Sequence, residues 1–133
     1  MHRPCGILCL VATLCLAMGC GPSRPKTYPV SGTVSFDGKP VPEGDIILRA
    51  ADGHSAPAAG KIKDGEFHLE ATAGQKKVEI RAAHKVARVE GAMGDEYQDY
   101  LPPEYNSKTT LTAEVKEQGE NHFDFPLESP KEP

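Results

Sequence analysis

The stretch that decides the fold is YPVSGTVSFDGKPVPEGDIILRA, from Tyr28 to Ala50. Two sets of residues alternate near its start. One set is Val30, Gly32, Val34 and Phe36, and the other is Ser31, Thr33 and Ser35. Alternation with a period of two is typical of a strand with one buried face. The stretch therefore predicts a half-buried strand that begins an antiparallel β domain.

Two turn signals follow this strand. Asp37 and Gly38 predict a tight hairpin, because glycine readily adopts the positive φ that such a turn needs. A second turn over residues 42–44 leads into the apolar run Ile46–Leu48. Strand, turn and strand within so short a distance favour an antiparallel arrangement.

The clearest hairpin signal lies further along the chain, between Gly60 and Ala71. Asp64 and Gly65 form a two-residue turn of the favoured kind. Such a turn places Lys63 opposite Glu66 and Ile62 opposite Phe67. With this register Phe67, Leu69 and Ala71 point to the core, and Glu66, His68 and Glu70 point to water.

Alternation recurs in three later segments: Gln75–His84, Leu111–Val115 and Asn121–Leu127. No segment of the body shows a helical period. About seven short strands, each with one apolar face, predict an all-β chain folded as a seven-stranded antiparallel β-sandwich. The core is expected to be modest, since Val, Ile, Leu and Ala supply most of it.

The N-terminal segment has the features of a targeting signal. Arg3 precedes an apolar run over residues 6–18, which is short of the roughly 20 residues that a membrane-spanning helix needs. The run fits the apolar core of a secretory signal peptide. All 4 cysteines lie within the first 20 residues, so the body is expected to have neither a disulfide nor a thiolate metal site.

The end of this run, Leu16–Cys20, resembles the lipobox of bacterial lipoproteins. Gly19 and Cys20 match its last two places, while Ala17 and Met18 stand where leucine and a small residue are usual. The resemblance implies that Cys20 is acylated and becomes the mature N-terminus. Two or more acyl chains would give stable anchoring. An ordinary signal peptide with a chance cysteine is the alternative.

Several segments of the body together resemble a known group of proteins. These segments are VSGTVSFDGKPVPEG, IKDGEFHL, KKVEIRA, LPPEYN and FDFPL. In this order and spacing they look like the small lipoproteins of planctomycete bacteria, whose domain is similar to the transthyretin-like, carboxypeptidase-regulatory-like sandwich. The resemblance implies a prealbumin-like sandwich and an exported lipoprotein. It implies no activity, substrate or catalytic residue.

Residue types that carry chemistry are present but scattered. The five histidines (His2, His54, His68, His84 and His122) show no metal-site spacing, and surface positions are expected for them. No serine lies in a glycine-flanked elbow, and the one cysteine left after signal cleavage would be the lipid anchor. Acidic pairs such as Asp95 and Glu96 lack the spacing of a calcium loop. We therefore expect no catalytic residue, no metal site and no cofactor.

The segment Lys85–Lys108 stands out as a long loop that holds Tyr97, Tyr100 and Tyr105. Long loops in compact domains are often functional, and tyrosine is enriched at binding surfaces. One hypothesis is that Tyr97 and Tyr100 contact an envelope protein or a glycan. The alternative is that the loop folds back and plugs the core, which is the interpretation favoured for Leu101 and Tyr105.

These observations predict four regions: a signal peptide (1–19), a lipidated cysteine with a proline-rich tether (20–27), a β-sandwich (28–127) and a disordered tail (128–133). The expected function is that of a membrane-anchored, non-catalytic binding or structural module of the cell envelope. An accessory domain that docks on a larger envelope transport or secretion assembly is the alternative. A small hydrolase or metal-binding protein ranks last.

The partners follow from the same observations. The membrane is expected to be a partner through the lipid, and the outer membrane is slightly favoured because Gly21, not aspartate, follows the cysteine. Nucleic acid is not expected, since the net charge of -4 comes without any cluster of lysine and arginine. The sequence does not decide the oligomeric state.

Overall fold

The computed structural model describes Gly19, Gly21 and residues 23–87, 90–91 and 93–131. Over these residues the chain is all-β, with no α-helix and one short 3-10 turn at Pro103–Tyr105. The strands are β1 (Thr27–Phe36), β2 (Lys39–Pro40), β3 (Glu43–Ala50), β4 (Ala58–Lys63), β5 (Glu66–Thr72), β6 (Gly74–Arg81), β7 (Ala83–Val86), β8 (Glu96–Asp99), β9 (Thr112–Val115) and β10 (Asn121–Leu127). The predicted all-β class is confirmed.

Eight of these strands form one continuous, curled sheet in the order β10-β1-β5-β4-β3-β6-β9, with β2 paired to β1. All neighbours are antiparallel except β1 and β10, which run parallel from Val30 opposite Asn121 to Phe36 opposite Leu127. The link between the two halves is short, because β4 and β5 pair only through Ile62 with Phe67 and Lys63 with Glu66. The seven-strand sandwich is a finer description, and it stays a prediction.

The inner face of the curled sheet carries the core. Alternate residues of each long strand are buried there: Val30 and Val34 on β1, Ile46 and Leu48 on β3, Phe67, Leu69 and Ala71 on β5, Val78 and Ile80 on β6, and Phe125 and Leu127 on β10. The Phe67 and Phe125 rings stack with centroids 6.1 Å apart. Burial of apolar side chains on one face of every strand is the main stabilising term for such a sheet.

Both predicted two-residue turns are present. Asp37 and Gly38 have φ values of 49° and 79°, and Asp64 and Gly65 have values of 51° and 78°. Two successive positive φ angles define the turn type whose twist matches that of the flanking strands. The predicted pairs Lys63–Glu66 and Ile62–Phe67 occur as expected.

The register of the strands defines two opposite ends of the sheet. At the N-terminal end, Thr27 pairs with Thr72 and Ala50 pairs with Lys76. At the other end, called the ribbon end here, Glu43 pairs with Lys63 and Asp45 pairs with Arg81. Strand β1 has 10 residues, so the two ends lie about 30 Å apart at roughly 3.3 Å per residue.

The segment predicted to be a long loop contains regular structure. Strands β7 and β8 form a separate antiparallel ribbon, from Ala83 opposite Asp99 to Val86 opposite Glu96. The ribbon is held at its base because the residues next to its two strands are buried in the core. Ala82 and Leu101 are 2% and 5% exposed, and the Tyr100 amide donates to the Ala82 carbonyl at 3.1 Å.

The other described residues form short segments that connect the strands. Thr109 is buried and donates from Oγ1 to the Val78 carbonyl at 2.6 Å, which holds the segment before β9 against β6. Over the described ranges we find no helix with the length and hydropathy that crossing a membrane would require.

Candidate functional site

A groove lies at the ribbon end, between the main sheet and the ribbon. Its volume is about 410 Å³, which falls within the size range of small-molecule sites. We call it the ribbon groove, and its charged and aromatic lining is Glu43, Asp45, Lys61, Arg81, Tyr97 and Asp99. Strands β3, β4, β6, β7 and β8 all contribute, so the groove exists only in the folded chain.

The floor of the ribbon groove consists of the small residues Gly44 and Ala83. A Cβ atom at Gly44 would lie 2.5 Å from the Arg81 carbonyl oxygen and 3.3 Å from the Ala82 Cβ. No side chain therefore fits at this position. Glycine at position 44 is required by the close approach of β3 to the chain at Arg81 and Ala82, and Ala83 is the floor residue whose small side chain leaves the groove open.

One ion pair crosses the ribbon groove. The Lys61 ammonium contacts an Asp45 carboxylate oxygen. The hydrogen bond and the charge of Asp45 raise the pKa of Lys61 above its ordinary value, and the charge of Glu43 adds to the effect. Lys61 is solvent-exposed, so water and salt screen this pair and it contributes little to stability.

The other charged groups of the ribbon groove are not paired with each other. Arg81 lies directly across the ladder from Asp45, yet Lys61 occupies that carboxylate. Within the described ranges, neither Arg81 nor Asp99 takes part in a hydrogen bond of its side chain or in an ion pair. A guanidinium and a carboxylate that line the groove therefore remain available to a ligand.

Tyr97 supplies the aromatic wall of the ribbon groove. It lies on β8 opposite Lys85, and 64% of its surface is exposed. The Lys85 ammonium makes an ion pair with an Asp95 carboxylate oxygen at 2.9 Å. Single exposed aromatic side chains are common on protein surfaces, and tyrosine, with an apolar ring and a polar hydroxyl, is suited to contacts with a ligand or partner.

Tyr100, which the sequence grouped with Tyr97, lies in a different environment. Its ring is partly buried against the core, 5.9 Å from the Phe36 ring and 5.5 Å from the His84 ring. Burial raises the pKa of the Tyr100 hydroxyl above its ordinary value. Tyr97 lines the groove and Tyr100 packs at the foot of the ribbon, so the structure does not bring the two tyrosines together at one surface.

The plug predicted from Leu101 and Tyr105 is present. Leu101 is buried, and Tyr105 is partly buried against the core. The Tyr105 hydroxyl donates to the Glu128 carbonyl and accepts from the Glu128 amide, each at 3.0 Å. The start of the tail is also held by Asp37, which accepts a hydrogen bond from the Ser129 amide at 2.8 Å.

A second groove lies on the outer face of β10, β1 and β5, near the N-terminal end. We call it the histidine groove. Its volume is about 590 Å³, and Ser31, His68, Glu70, Glu120 and His122 contribute to its lining. Ser31 stands between the two histidines, since it pairs with His122 on one side and His68 on the other.

Ser31, His122 and Asp124 form a polar row beside this groove. The Ser31 Oγ lies 3.5 Å from His122 Nδ1, and His122 Nε2 lies 3.1 Å from Asp124 Oδ1. Thr33 donates to the same Asp124 oxygen at 2.7 Å. That hydrogen bond is the largest cause of a pKa of Asp124 below its ordinary value, with a smaller contribution from His122.

The row resembles a Ser-His-Asp arrangement only in its residue types. The side chains of His122 and Asp124 are 53% and 64% exposed, whereas activation of a serine relies on a close, oriented base and a buried carboxylate. The Ser–His distance is also at the outer limit of a hydrogen bond. The geometry supports a surface row that fixes the register of β10 against β1.

The other predicted positions are accounted for as follows. His54, His68, His84 and His122 are exposed, as expected for surface histidines. Within the described segments of the chain, no three His, Cys, Asp or Glu side chains are grouped closely enough to hold a metal ion. Cys20 lies outside the described residues, and its acylation stays a prediction.

The sequence did not predict that Arg81 and Asp99 line the site, nor, at the other end of the sheet, that Lys76 is buried. Arg81 and Asp99 belong to the ribbon groove, but they lie far apart in the sequence and only the topology joins them. Lys76 is 3% exposed and donates to the Thr72 hydroxyl at 2.7 Å. The sequence did contain an indication of this burial, because Lys76 lies on the same face of β6 as Val78 and Ile80.

Comparisons with known proteins assign no family. No protein-family model matches the chain, and no curated protein matches it. Among solved structures, the chain is similar to a portion of a 9R-lipoxygenase from Cyanothece PCC8801, with a TM-score of 0.37 and 14% sequence identity. The similarity covers 78% of this chain but only 16% of the lipoxygenase chain. A similarity this low supports no inference about fold type or activity.

Proposed function

We propose that this chain is an exported lipoprotein, anchored through an acylated Cys20, whose β domain binds a component of the cell envelope without catalysis. The support for the anchor is the order of features at the N-terminus. A positive residue, an apolar run and the Gly19–Cys20 pair come first. The first strand begins at Thr27, a short distance after the cysteine.

The observation that carries the binding role is the position of the ribbon groove. The chain enters the sheet at Thr27, at the N-terminal end, and the groove lies at the ribbon end, about 30 Å away at strand geometry. With a lipid at Cys20, that placement turns the groove away from the membrane surface. An exposed aromatic ring and unpaired charges in a groove with this orientation suit a binding module.

The scaffold in this proposal is the transthyretin-like sandwich. Its support is the single hydrophobic core, to which β1, β5 and β10 and also β3, β6 and β9 contribute buried side chains. The narrow β4–β5 link is where the layers of a sandwich would join. We infer that the halves act as the two layers of such a sandwich.

Cell fractionation tests the anchor. The full chain and its Cys20→Ser variant are expressed in a bacterium that acylates lipoproteins, and each is traced in membrane and soluble fractions. We expect the parent in the membrane fraction and resistant to extraction with high salt. Cys20→Ser is expected to leave that fraction or to remain unprocessed. An identical distribution of the two proteins would reject the anchor.

Docking on a larger envelope assembly is the second candidate, and one observation favours it. Among the described residues, the exposed large hydrophobic side chains are Met93, which is 100% exposed, and Tyr97. Both belong to the ribbon and its connecting segment. Crosslinking from position 93 in intact cells should give a discrete adduct with one envelope protein if the ribbon docks. A smear or no adduct would count against docking.

A further inference from the structure

We propose that the ribbon groove is a saccharide-binding site, with Tyr97 as the stacking platform and Arg81 and Asp99 as the groups that bind hydroxyls. This inference rests on the proposed function, because it names the class of ligand that the binding module takes. It adds a site, a ligand class and a role for three residues.

The Tyr97 ring provides the first reason. The face of an aromatic ring carries partial negative charge and its body is apolar. The carbon-bound hydrogens of a sugar ring form an apolar, slightly positive face of similar size. Tyr97 exposes 64% of its surface and lines the same groove as the small residues Gly44 and Ala83, so its ring is open to a sugar that enters the groove.

The charges of the groove provide the second reason. Each sugar hydroxyl both donates and accepts hydrogen bonds, so a saccharide needs donors and acceptors close together. Arg81 offers donors in a fixed fork, and Asp99 and Glu43 offer carboxylate oxygens. Arg81 and Asp99 are free of side-chain partners among the described residues. Hydrogen bonds to charged groups are the stronger ones, which compensates for the open setting.

The same charges argue against other ligand classes. The groove has the three acids Glu43, Asp45 and Asp99 against the two cations Lys61 and Arg81, which disfavours a phosphate group or a nucleic acid. The acids are not grouped as metal ligands in the described chain. A neutral, hydroxyl-rich ligand matches a lining of both signs.

Position provides the third reason. The groove lies at the ribbon end, where β3 begins and β6 ends, and Thr27 lies at the other end of the sheet. Under the proposed anchor, this end of the domain faces the polymers beyond the membrane surface. A single shallow site of this kind is expected to bind weakly and to gain strength from repeated units on one polymer.

The test is a binding titration with the full chain in detergent micelles, labelled with ¹⁵N. The probes are the tetramer of N-acetylglucosamine and cellotetraose, which are neutral, and tetragalacturonic acid, which is anionic and is expected not to bind. We expect at least one neutral probe to shift the amide signals of residues 43–45, 81–83 and 97–99 in a saturable way. Because a neutral sugar does not depend on charge attraction, its Kd should change little when salt is raised.

Three variants give the matched comparison. Tyr97→Ala should raise the Kd about tenfold, and Tyr97→Phe should raise it less than about twofold because the ring remains. Met93→Ala is the control, since Met93 is exposed on the segment that connects β7 to β8 but does not line the groove. A thermal melt checks that each variant is folded.

The proposal is overturned if neither neutral probe shifts the groove signals, or if Tyr97→Ala binds as well as the parent. It is also overturned if a mixed-charge peptide, run in parallel, fills the groove while the sugars do not. None of these results would bear on Cys20, since fractionation of the Cys20→Ser variant reports on the anchor alone.

Discussion

At the scale of single residues, Gly32 shows how little room the core leaves. It is buried on β1 between β5 and β10. A Cβ atom at this position would overlap the carbonyl oxygen of Phe123 and would lie 2.9 Å from Cε1 of Phe67. The first of these neighbours is backbone, so no rotamer change relieves the clash. The sequence pattern grouped Gly32 with the apolar residues of β1. The structure shows that only glycine fits at this position, because a Cβ atom would clash.

Gly32→Ala should therefore destabilise the fold by roughly 3 kcal/mol, because β1 and β10 must separate to admit the methyl group. Urea unfolding of the full chain measures this free energy. Gly21→Ala is the control, since a Cβ atom there meets nothing within 4 Å, and it should leave the unfolding free energy unchanged. Equal stabilities for the two variants would show that β10 does not approach β1 as described.

Thr33 and Asp124 give a prediction about pH. The Thr33 hydrogen bond lowers the pKa of the Asp124 carboxyl below its ordinary value of 3.8. A depressed pKa in the folded state contributes stability that is present above the unfolded value and is lost as the pH falls through the folded value. This contribution therefore disappears in the acid range, below about pH 4.

Thr33→Val removes the donor and keeps the shape, so the pKa of Asp124 should rise towards its ordinary value. Carbon-13 NMR titration of the side-chain carboxyl measures it directly. Ser35→Ala, on the same strand and face but without a bond to Asp124 among the described contacts, should leave the titration in place. If the Asp124 pKa is the same with valine at position 33, the hydrogen bond is not its cause.

At the scale of elements, the turn between β4 and β5 joins several strands of the sheet. The Gly65 carbonyl accepts from the Val34 amide, and the Gly65 amide donates to the Val41 carbonyl, both at 2.8 Å. The Asp64 amide donates to the Pro42 carbonyl at 2.8 Å. The turn therefore holds β1 and the segment between β2 and β3 together at the ribbon end, in addition to connecting its own strands.

The two hairpin turns allow this role to be measured. Gly65→Ala meets both a positive φ and the Cβ of Pro40 at 2.7 Å, whereas Gly38→Ala meets a similar φ in open space. Gly38→Ala should cost about 1 kcal/mol, and Gly65→Ala should cost at least about 1 kcal/mol more because of the clash. The difference in urea midpoint between the two variants measures how much the contact of the β4–β5 turn with its neighbouring segments contributes to stability. No difference would mean that the turn is merely a connection.

The ribbon is the element that has the fewest stabilising neighbours. It has only two strands, and all four residues of β8 are exposed. A two-stranded pair is marginally stable in water. We expect its amides to exchange with solvent much faster than those of β1 and β5 in hydrogen-exchange measurements. Ribbon amides protected as strongly as those of β1 would contradict this view and would point to a covering contact in solution.

Local pattern predicts local structure well here, but it does not predict partners across the sheet. The period of two places Phe67, Leu69 and Ala71 in the core, and both Asp-Gly turns form. The parallel pairing of β1 with β10 joins segments about 90 residues apart, and no periodic signal encodes such a choice. The ribbon looks like a loop in the sequence because its strands are short and six of their eight residues are exposed.

The site was predictable only to a limited extent for the same reason. Composition singles out Tyr97, which does line a groove, but its neighbours Arg81 and Asp45 come from strands that meet only in the folded sheet. Tyr100 looks equivalent in sequence, and packing against Phe36 separates it from Tyr97. Whether Tyr97 binds a partner is still a prediction.

At the scale of the whole molecule, the proposed arrangement is a short tether, a curled sheet and a ribbon groove at the end opposite the point of entry of the chain. Each of the three has a distinct task, since the lipid would fix position, the sheet would provide distance, and the groove would provide contact. The proposed orientation of the groove, away from the membrane, depends on a lipid at Cys20.

Mass spectrometry of the mature N-terminus tests this claim most directly. The full gene product is purified from the membranes of a bacterium that processes lipoproteins, and its first peptide is sequenced. We predict a chain that starts at Cys20 and carries acyl groups on that residue. A chain that retains Gly19, or one that begins elsewhere with Cys20 unmodified or absent, would contradict the lipid anchor.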